Sequence, residues 1–332
     1  MVRKYGLTVG IILVFLAVTI LGNPSRALAE EKFPSKPIYM IVGYAPGGGT
    51  DLPARGLASV APEFLNDQPL IVVNKPGSSG MIASKFVANA DPDGYTLLMG
   101  WGNTEYTFRR HLQKLPVDVF KDYEPVVMVA TYSSCVIVPA DSPFKNLDDL
   151  VAYARKNPGK LKWGHTGRGG EHHANALSFI QVTGIDAVEI PYDGGPQTRA
   201  AVAGKHVDFG FLATFLAPPL VSAGQIRVLG VALPERDKEF FPEYPTFKEQ
   251  GYDIINVTAC KGVAAPAGTP KEIIEDLHQR FKKCMEHRAF KRFLSNTMLN
   301  WAYMNPEDTL RYSKNLDEKY GKMVKELGLK LK

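Results

Sequence analysis

The chain has 332 residues, of which 45% are hydrophobic and 22% charged, and its formal net charge is +5 at pH 7. This apolar fraction is ordinary for a globular protein, and the length suggests about two domains. Three of the positive charges (Arg3, Lys4 and Arg26) precede Glu30 in a segment without acidic residues, so the rest of the chain carries only +2. A basic surface for binding nucleic acid is therefore excluded.

The N-terminal segment has the pattern of a secretory signal peptide. Arg3 and Lys4 precede an uncharged apolar run, residues 6–22, which is short for a membrane-spanning helix. Ala27-Leu28-Ala29 matches the A-x-A pattern and predicts cleavage after Ala29. No cysteine directly follows the apolar run, so no lipid anchor is expected. We therefore expect a soluble mature chain outside the cytoplasm.

The next feature is a strand, a glycine-rich turn and a helix. The strand covers residues 38–42, the first glycine loop is Pro46–Asp51, and the helical pattern runs to Leu65. Glycine lets backbone N–H groups approach an anion, and a helix start adds unpaired N–H donors. Thr50-Asp51 replaces the Lys-Ser/Thr of a nucleotide P-loop, and no Gly-x-Gly-x-x-Gly is present. The loop is therefore interpreted as a site for a small carboxylate, with a plain turn as the alternative.

Three further strands are each followed by a glycine loop and a helix. The loops are the second (Lys75–Gly80), the third (His165–Gly170) and the fourth (Pro191–Pro196). Strands that alternate with helices predict a mostly parallel sheet covered on both faces. Ligands bind at the carboxyl ends of such strands, where all four loops are expected to lie.

The sequence gives little support for a metal site or for a catalytic site. His165, His172 and His173 lack an acidic residue four positions away, and neighbouring helical side chains point about 100° apart, so no metal or cofactor is expected. Ser78 and Ser79 are not in a Gly-x-Ser-x-Gly motif. Cys284 fits a core position, and a disulfide between Cys135 and Cys260 is left open.

The C-terminal part predicts two long helices. Thr269-Pro270-Lys271-Glu272 combines an N-cap, a proline at the first helical position and an acid, and the apolar pattern then continues to Leu294. Asn305-Pro306-Glu307-Asp308 starts a second helix through Leu327. These helices are expected to pack on the first domain without strands of their own.

With these residues in place, the chain resembles the periplasmic solute receptors of tripartite tricarboxylate transporters, the Bug receptor family. The resemblance runs from Phe33 to the C-terminus, and the order and spacing of its motifs make it specific. The motifs are Pro34-Ser35-Lys36-Pro37-Ile38, Pro46–Asp51 with Arg55, Asn74-Lys75-Pro76-Gly77, Pro92–Leu98, Pro191-Tyr192-Asp193-Gly194, Val207-Asp208 and Ala265–Pro270.

The resemblance implies a two-lobed, type II periplasmic-binding-protein fold, with mainly parallel sheets flanked by helices. Lobe one would combine residues 30–138 and 260–332, and lobe two residues 139–259. Two crossover strands, in the runs Val126–Pro139 and Asp253–Ala264, would form the hinge. A carboxylate would be gripped by residues of both lobes: Gly47, Gly48, Gly49, Thr50, Asp51, Gly77, Ser78, Ser79, Gly80, Asn103, Thr104, Thr166, Gly167, Gly170, Tyr192, Gly194 and Gly195.

The implied function is capture of a mono-, di- or aromatic carboxylate in the periplasm and its delivery to the membrane subunits of a tripartite transporter. We expect a monomer. Asp51 is interpreted as an acceptor that orients the first glycine loop, since two carboxylates side by side repel. Alternatives are a secreted hydrolase and a receptor that signals to a sensor kinase. Thr50→Val or Gly49→Val is expected to weaken binding with little loss of folding.

Overall fold

The computed structural model of the protein describes residues 32–102, 104–254, 256–326 and 328–329. The predicted signal peptide and its cleavage site lie outside these residues. The helices and strands below belong to one compact unit, Lys36–Lys332. In the described part of the chain, no helix combines the length and the apolar character needed to cross a membrane.

Strands and helices alternate along most of the described chain. The strands are β1 (Ile38–Val42), β2 (Leu70–Asn74), β3 (Thr96–Trp101), β4 (Tyr123–Tyr132), β5 (Ser134–Pro139), β6 (Lys162–His165), β7 (Val188–Pro191), β8 (Phe209–Ala213), β9 (Ile226–Val231), β10 (Ala259–Pro266) and β11 (Asn300–Met304). The helices are α1 (Asp51–Val60), α2 (Met81–Ala88), α3 (Thr104–Thr107), α4 (Leu147–Lys156), α5 (Glu171–Thr183), α6 (Gly195–Ala203), α7 (Pro218–Ser222), α8 (Lys271–Glu286), α9 (Arg288–Asn296) and α10 (Pro306–Glu326).

The strands form two sheets, which confirms the predicted α/β class. Sheet one has the order β11-β4-β10-β3-β1-β2, and sheet two has the order β7-β6-β8-β5-β9. In sheet one, β1 pairs in parallel with β2 and β3, and in sheet two β6 pairs in parallel with β7 and β8. All four glycine loops follow strands of these parallel regions, so each lies at the predicted carboxyl edge.

The expectation of mainly parallel sheets needs a correction. Among the described strands, four pairings are parallel, and the five that involve β5, β10 or β11 are antiparallel. The reason is the chain path: β5 and β10 belong to segments that enter a sheet from the other one, and they run against their neighbours. Both sheets are therefore mixed.

The two predicted crossover strands differ from each other. The first run is interrupted at Ser133, because β4 ends at Tyr132 in sheet one and β5 starts at Ser134 in sheet two. The second run is a strand only from Ala259, and all of β10 pairs within sheet one. The chain thus passes between the sheets through non-strand segments rather than through two continuous strands.

Each sheet has its own hydrophobic core. Aromatic side chains dominate the core of sheet two, where Trp163, Phe179 and Phe211 are almost completely buried. In sheet one, Trp101 belongs to the same core cluster as residues of α2, and its indole nitrogen donates to the Val119 carbonyl at 3.1 Å. Full burial of a large apolar side chain contributes about 1.5–3 kcal/mol. These cores hold the edges that carry the glycine loops in place.

The C-terminal prediction is corrected in three places. The first helix is divided at His287, whose extended backbone (φ −63°, ψ 135°) ends α8 and whose Nδ1 accepts from the Ala289 N–H to cap α9. Pro270, not Thr269, is the residue that precedes α8, and the Thr269 hydroxyl donates instead to the Pro266 carbonyl. Between the helices, β11 adds an edge strand to sheet one.

The three cysteines are buried free thiols. Cys135, Cys260 and Cys284 each have 0% exposure. The disulfide left open by the sequence is therefore absent from the structure.

Candidate functional site

The first glycine loop is held by one buried carboxylate. Asp51 is fully buried at the start of α1, and its Oδ2 accepts from the Gly47 N–H at 2.8 Å and from Arg55 Nε at 2.7 Å. Its Oδ1 accepts from the Asn74 amide at 2.8 Å, and the same amide donates to the Tyr44 carbonyl at 2.9 Å. Asp51 therefore fixes both ends of the loop, as an orienting acceptor must.

This anchoring leaves backbone donors uncommitted. Within the described residues, the N–H groups of Gly48, Gly49 and Thr50 donate to no other group of the protein. They precede α1, a helix of ten residues whose positive dipole end faces the same region. Three adjacent N–H donors at a helix start are suited to an anion.

These donors border a small space between the two sheets, here called the inner cavity. Its volume is about 20 Å³, which is room for about one water molecule. Its walls come from the first glycine loop, the end of β4 and the loops of sheet two. The lining residues are Tyr44, Gly48, Gly49, Thr50, Tyr132, Thr166, Glu171, His172, Gly194, Gly195, Ala213 and Leu216.

A second and larger space, the outer cavity, adjoins the first. Its volume is about 270 Å³, and Tyr44 and Thr166 line both cavities. Two arginines, one from each sheet's loops, contribute to its wall. The lining residues are Gly43, Tyr44, Gly77, Ser78, Ser79, Gly80, Arg109, Thr166, Gly167, Arg168, Pro191, Tyr192 and Asp193.

Most of the predicted site residues thus meet at two neighbouring cavities. The exceptions among the described residues have visible reasons. Asp51 and the Gly47 N–H are bonded to each other, Thr104 is buried beside Tyr320, and Gly170 caps α5 with its carbonyl. Asn103 lies outside the described residues. The role of the whole set in binding remains a prediction.

Sequence reasoning missed the charged part of the inner cavity. The Glu171 carboxylate, almost completely buried, accepts from the Tyr132 hydroxyl at 2.8 Å through Oε1, and the same oxygen lies 3.5 Å from Lys261 Nζ. Burial raises the pKa of Glu171, but Lys261, His172 and the hydrogen bonds together outweigh it and lower the pKa to about 2. No local signal reveals this ion pair, because Lys261 lies far along the chain, on β10.

His172 belongs to the same network. Its Nδ1 lies 2.6 Å from the Ser134 hydroxyl, its Nε2 lies 3.5 Å from Glu171, and its ring stacks on Tyr132. Burial lowers the pKa of His172 to about 4, so the ring is neutral near pH 7.

A separate histidine group lies beside the third glycine loop. His165 Nε2 and His173 Nε2 lie 3.0 Å and 3.4 Å from Glu189 Oε1, and the three side chains are close enough to share a metal ion. Arg168 Nε lies 2.8 Å from the same oxygen and already supplies a positive charge there. As the sequence indicated, His172 and His173 face different surroundings, but sequence reasoning did not foresee Glu189.

The expectation for Gly49→Val is wrong in one respect. A Cβ at Gly49 would lie 2.3 Å from the Tyr132 ring, which is closer than real Cβ contacts. A side chain there must displace Tyr132, so the substitution disturbs folding as well as the site. Thr50, which is 4% exposed and whose side chain makes no capping hydrogen bond to α1, is the better position to test.

Comparison with known proteins gives consistent matches over the chain. The family model described as tripartite tricarboxylate transporter family receptor matches residues 54–329. A protein of Cupriavidus necator, named UPF0065 protein in gbd 5'region, is 34% identical over 330 residues and covers 98% of each chain.

Solved structures agree with the sequence comparison. Periplasmic binding protein BugD has a TM-score of 0.84 at 27% identity and covers 90% of this chain and 99% of its own. MatC from Rhodopseudomonas palustris, solved with bound malate, has a TM-score of 0.81 at 25% identity, with 88% and 100% covered. An R. palustris protein solved with adipate has a TM-score of 0.81 at 27% identity, with 89% and 98% covered. The chain therefore has the fold of two-lobed periplasmic binding proteins and belongs to the tripartite tricarboxylate transporter receptor family.

Proposed function

We propose that this receptor captures a small organic carboxylate between its two lobes in the periplasm and delivers it to the membrane subunits of a tripartite tricarboxylate-type transporter. The observation that carries the proposal is the set of uncommitted N–H donors of Gly48, Gly49 and Thr50 at a cavity between the sheets. Malate and adipate, the compounds named with two similar structures, are carboxylates.

The lobes are proposed to follow the sheets. Lobe one then contains β1–β4, β10 and β11, and lobe two contains β5–β9. Compared with the sequence-based boundary at 138/139, the first crossover moves to Ser133. The water-sized inner cavity supports a closed arrangement, since an organic acid enters only when the lobes separate.

We propose a receptor without catalytic activity. Ser134, His172 and Glu171 resemble the members of an acyl-transfer triad, but the Ser134 hydroxyl is fully buried, lines neither cavity and is shared by His172 and the Asn175 amide. A nucleophile must face its substrate. The test is to incubate the protein with an acid that it binds and to analyse the mixture by mass spectrometry. Conversion of the acid would contradict this part of the proposal and support the hydrolase alternative.

Export with cleavage after Ala29 and a monomeric state complete the proposal. The test for both uses protein expressed with its own N-terminal segment and recovered from the periplasmic fraction. Its intact mass should be that of a chain that begins at Glu30. Size-exclusion chromatography with light scattering should give the mass of a single chain. A co-purification of membrane proteins with and without solute separates transport from signalling to a kinase.

The function itself is tested by a thermal-shift screen of mono-, di-, tri- and aromatic carboxylates. The protein is first unfolded and refolded to remove any solute that co-purifies. An acid at about 100 times its dissociation constant stabilises the fold by about 2.7 kcal/mol, a shift of several degrees. Thr50→Val should reduce the shift, whereas Ser59→Val on the outer part of α1 should not. A flat response to every acid contradicts the proposal.

A further inference from the structure

The inner cavity joins two surfaces of opposite hydrogen-bonding character. On one side, Gly48, Gly49 and Thr50 offer three backbone N–H donors that bond to no other group of the described residues. On the other side, Glu171 offers a carboxylate, which is ionised near pH 7 because its pKa lies below the usual range. An ionised carboxylate accepts hydrogen bonds and donates none. The site therefore calls for a solute with an acceptor at one end and a donor at the other.

The two surfaces are close together. A Cβ at Gly49 would lie 2.4 Å from the Tyr132 hydroxyl, and this hydroxyl donates to Glu171 Oε1 at 2.8 Å. Tyr132 thus links the glycine loop to the carboxylate through a single hydroxyl group. In this closed arrangement the Tyr132 hydroxyl stands between the two surfaces, so a solute that reaches both must displace it and must carry its acceptor and its donor close together, as the polar head of an amino acid does.

The charges favour the same kind of solute. Glu171 lines the inner cavity, whereas its counter-ion Lys261, 1% exposed at the side chain, is not among the lining residues. A simple carboxylate held on the loop has the negative Glu171 beside it, which costs energy in a buried site. A protonated amine on the solute turns that cost into a charge-assisted hydrogen bond.

We propose that the solute is an amino-substituted carboxylate, bound as a zwitterion with its carboxylate on the N–H groups of Gly48–Thr50 and its ammonium group on Glu171. This rests on the proposed function, because it names the class of acid that the receptor takes. The body of a larger solute extends past Tyr44 and Thr166 into the outer cavity.

The test compares acids that differ only by an amino group. Refolded wild-type protein is titrated by calorimetry with aspartate and succinate, glutamate and glutarate, alanine and propionate, and 2-aminoadipate and adipate. The aminated member of at least one pair should bind 10-fold or more tightly than its partner. Glu171→Gln should reduce this ratio to near one, while Glu318→Gln, an exposed carboxylate on α10, should preserve it.

Glu171→Gln leaves the Lys261 charge buried without its counter-ion and can fail to fold. The double variant Glu171→Gln/Lys261→Met removes both charges and serves as the second reagent. Equal binding of both members of every pair, or tighter binding of the simple acids, overturns the inference while leaving a carboxylate receptor. A preference for aminated acids that survives in the double variant also overturns the role of Glu171. Binding of no acid at all contradicts the proposed function itself.

Discussion

At the scale of single residues, the site depends on partners that lie far apart in sequence. Glu171 starts a helix, which is an ordinary place for an acid. Lys261, on β10, forms a buried ion pair with Glu171. Tyr132, which donates to Glu171, also lies against Gly49 and so brings the carboxylate close to the first glycine loop. Removing one member of such a pair costs about 3–5 kcal/mol, because the other is left buried and unpaired.

His172 makes stability depend on pH. Its pKa is about 4 in the folded protein and near 6.5 when unfolded. Between these pH values His172 is protonated in the unfolded chain and neutral in the folded chain. The contribution of His172 to the free energy of unfolding is therefore complete above pH 6.5 and decreases as the pH falls towards 4. The slope per proton is about 1.4 kcal/mol per pH unit. Glu171, with a lowered pKa, adds a further loss between about pH 4.5 and 2.

Urea denaturation at several pH values measures this slope. His172→Asn should flatten the curve between pH 6.5 and 4, and exposed His206→Asn should leave it unchanged. The comparison uses slopes, since His172→Asn also removes ring packing. Burial also lowers the pKa of His173, so part of the pH dependence of stability remains in the variant. An unaltered slope in His172→Asn contradicts the assignment.

At the scale of helices and strands, the elements that depend on local sequence signals were predicted well, and those that depend on pairing between distant segments were not. Asn305 was predicted as a helix start, and its side chain accepts from the N–H group three residues later, as the Asn146 side chain does at the start of α4. The edge strand β11 was missed, because it is a strand only through pairing with β4, which lies far away in sequence. The break at His287 was missed because the apolar pattern continues through it.

The cap of α4 offers a measurable case. Asn146→Ala removes the acceptor of the Asp149 N–H and should lower the free energy of unfolding by about 0.5–2 kcal/mol. Asn146→Asp keeps a capping oxygen and should restore most of that loss. Chemical denaturation of the three proteins decides between a cap and a generic surface effect, since equal losses in both variants contradict capping.

At the scale of the whole molecule, the site exists only where the two sheets face each other. The four glycine loops were predicted from sequence because each is a local strand-to-helix turn. Their grouping around two cavities follows from the sheet order, and the carboxylate in the inner cavity follows from contacts between sheets. The second kind of information is not contained in any short stretch of sequence.

Closure of the two lobes can be tested with an engineered disulfide. A Cβ at Gly194 would lie 3.4 Å from the Ala45 Cβ, close to the roughly 3.5–4.5 Å of natural disulfides, and the Gly194 backbone is extended (φ 172°). Ala45 follows β1 in sheet one and Gly194 follows β7 in sheet two. Oxidised Ala45→Cys/Gly194→Cys should be more stable by about 2–4 kcal/mol and should not respond to an acid that stabilises the wild type.

Reduction of the double variant should restore the response, and each single variant should respond equally in both redox states, which separates the effect of the substitution from that of the disulfide. The natural cysteines are fully buried and do not compete for pairing. An oxidised variant that binds the acid as quickly as the reduced one would show that solute enters without separation of these loops.

The distribution of the three tryptophans gives the protein built-in optical probes. Trp101 and Trp163 are almost fully buried, one in the core of each sheet, while Trp301 is 47% exposed on β11. The Trp163 ring lies 4.8 Å from His165 and 5.9 Å from His173, on the strand that leads into the third glycine loop. Movement of that loop alters the surroundings of this indole, so the intrinsic fluorescence of unlabelled protein can follow the arrival of solute in real time.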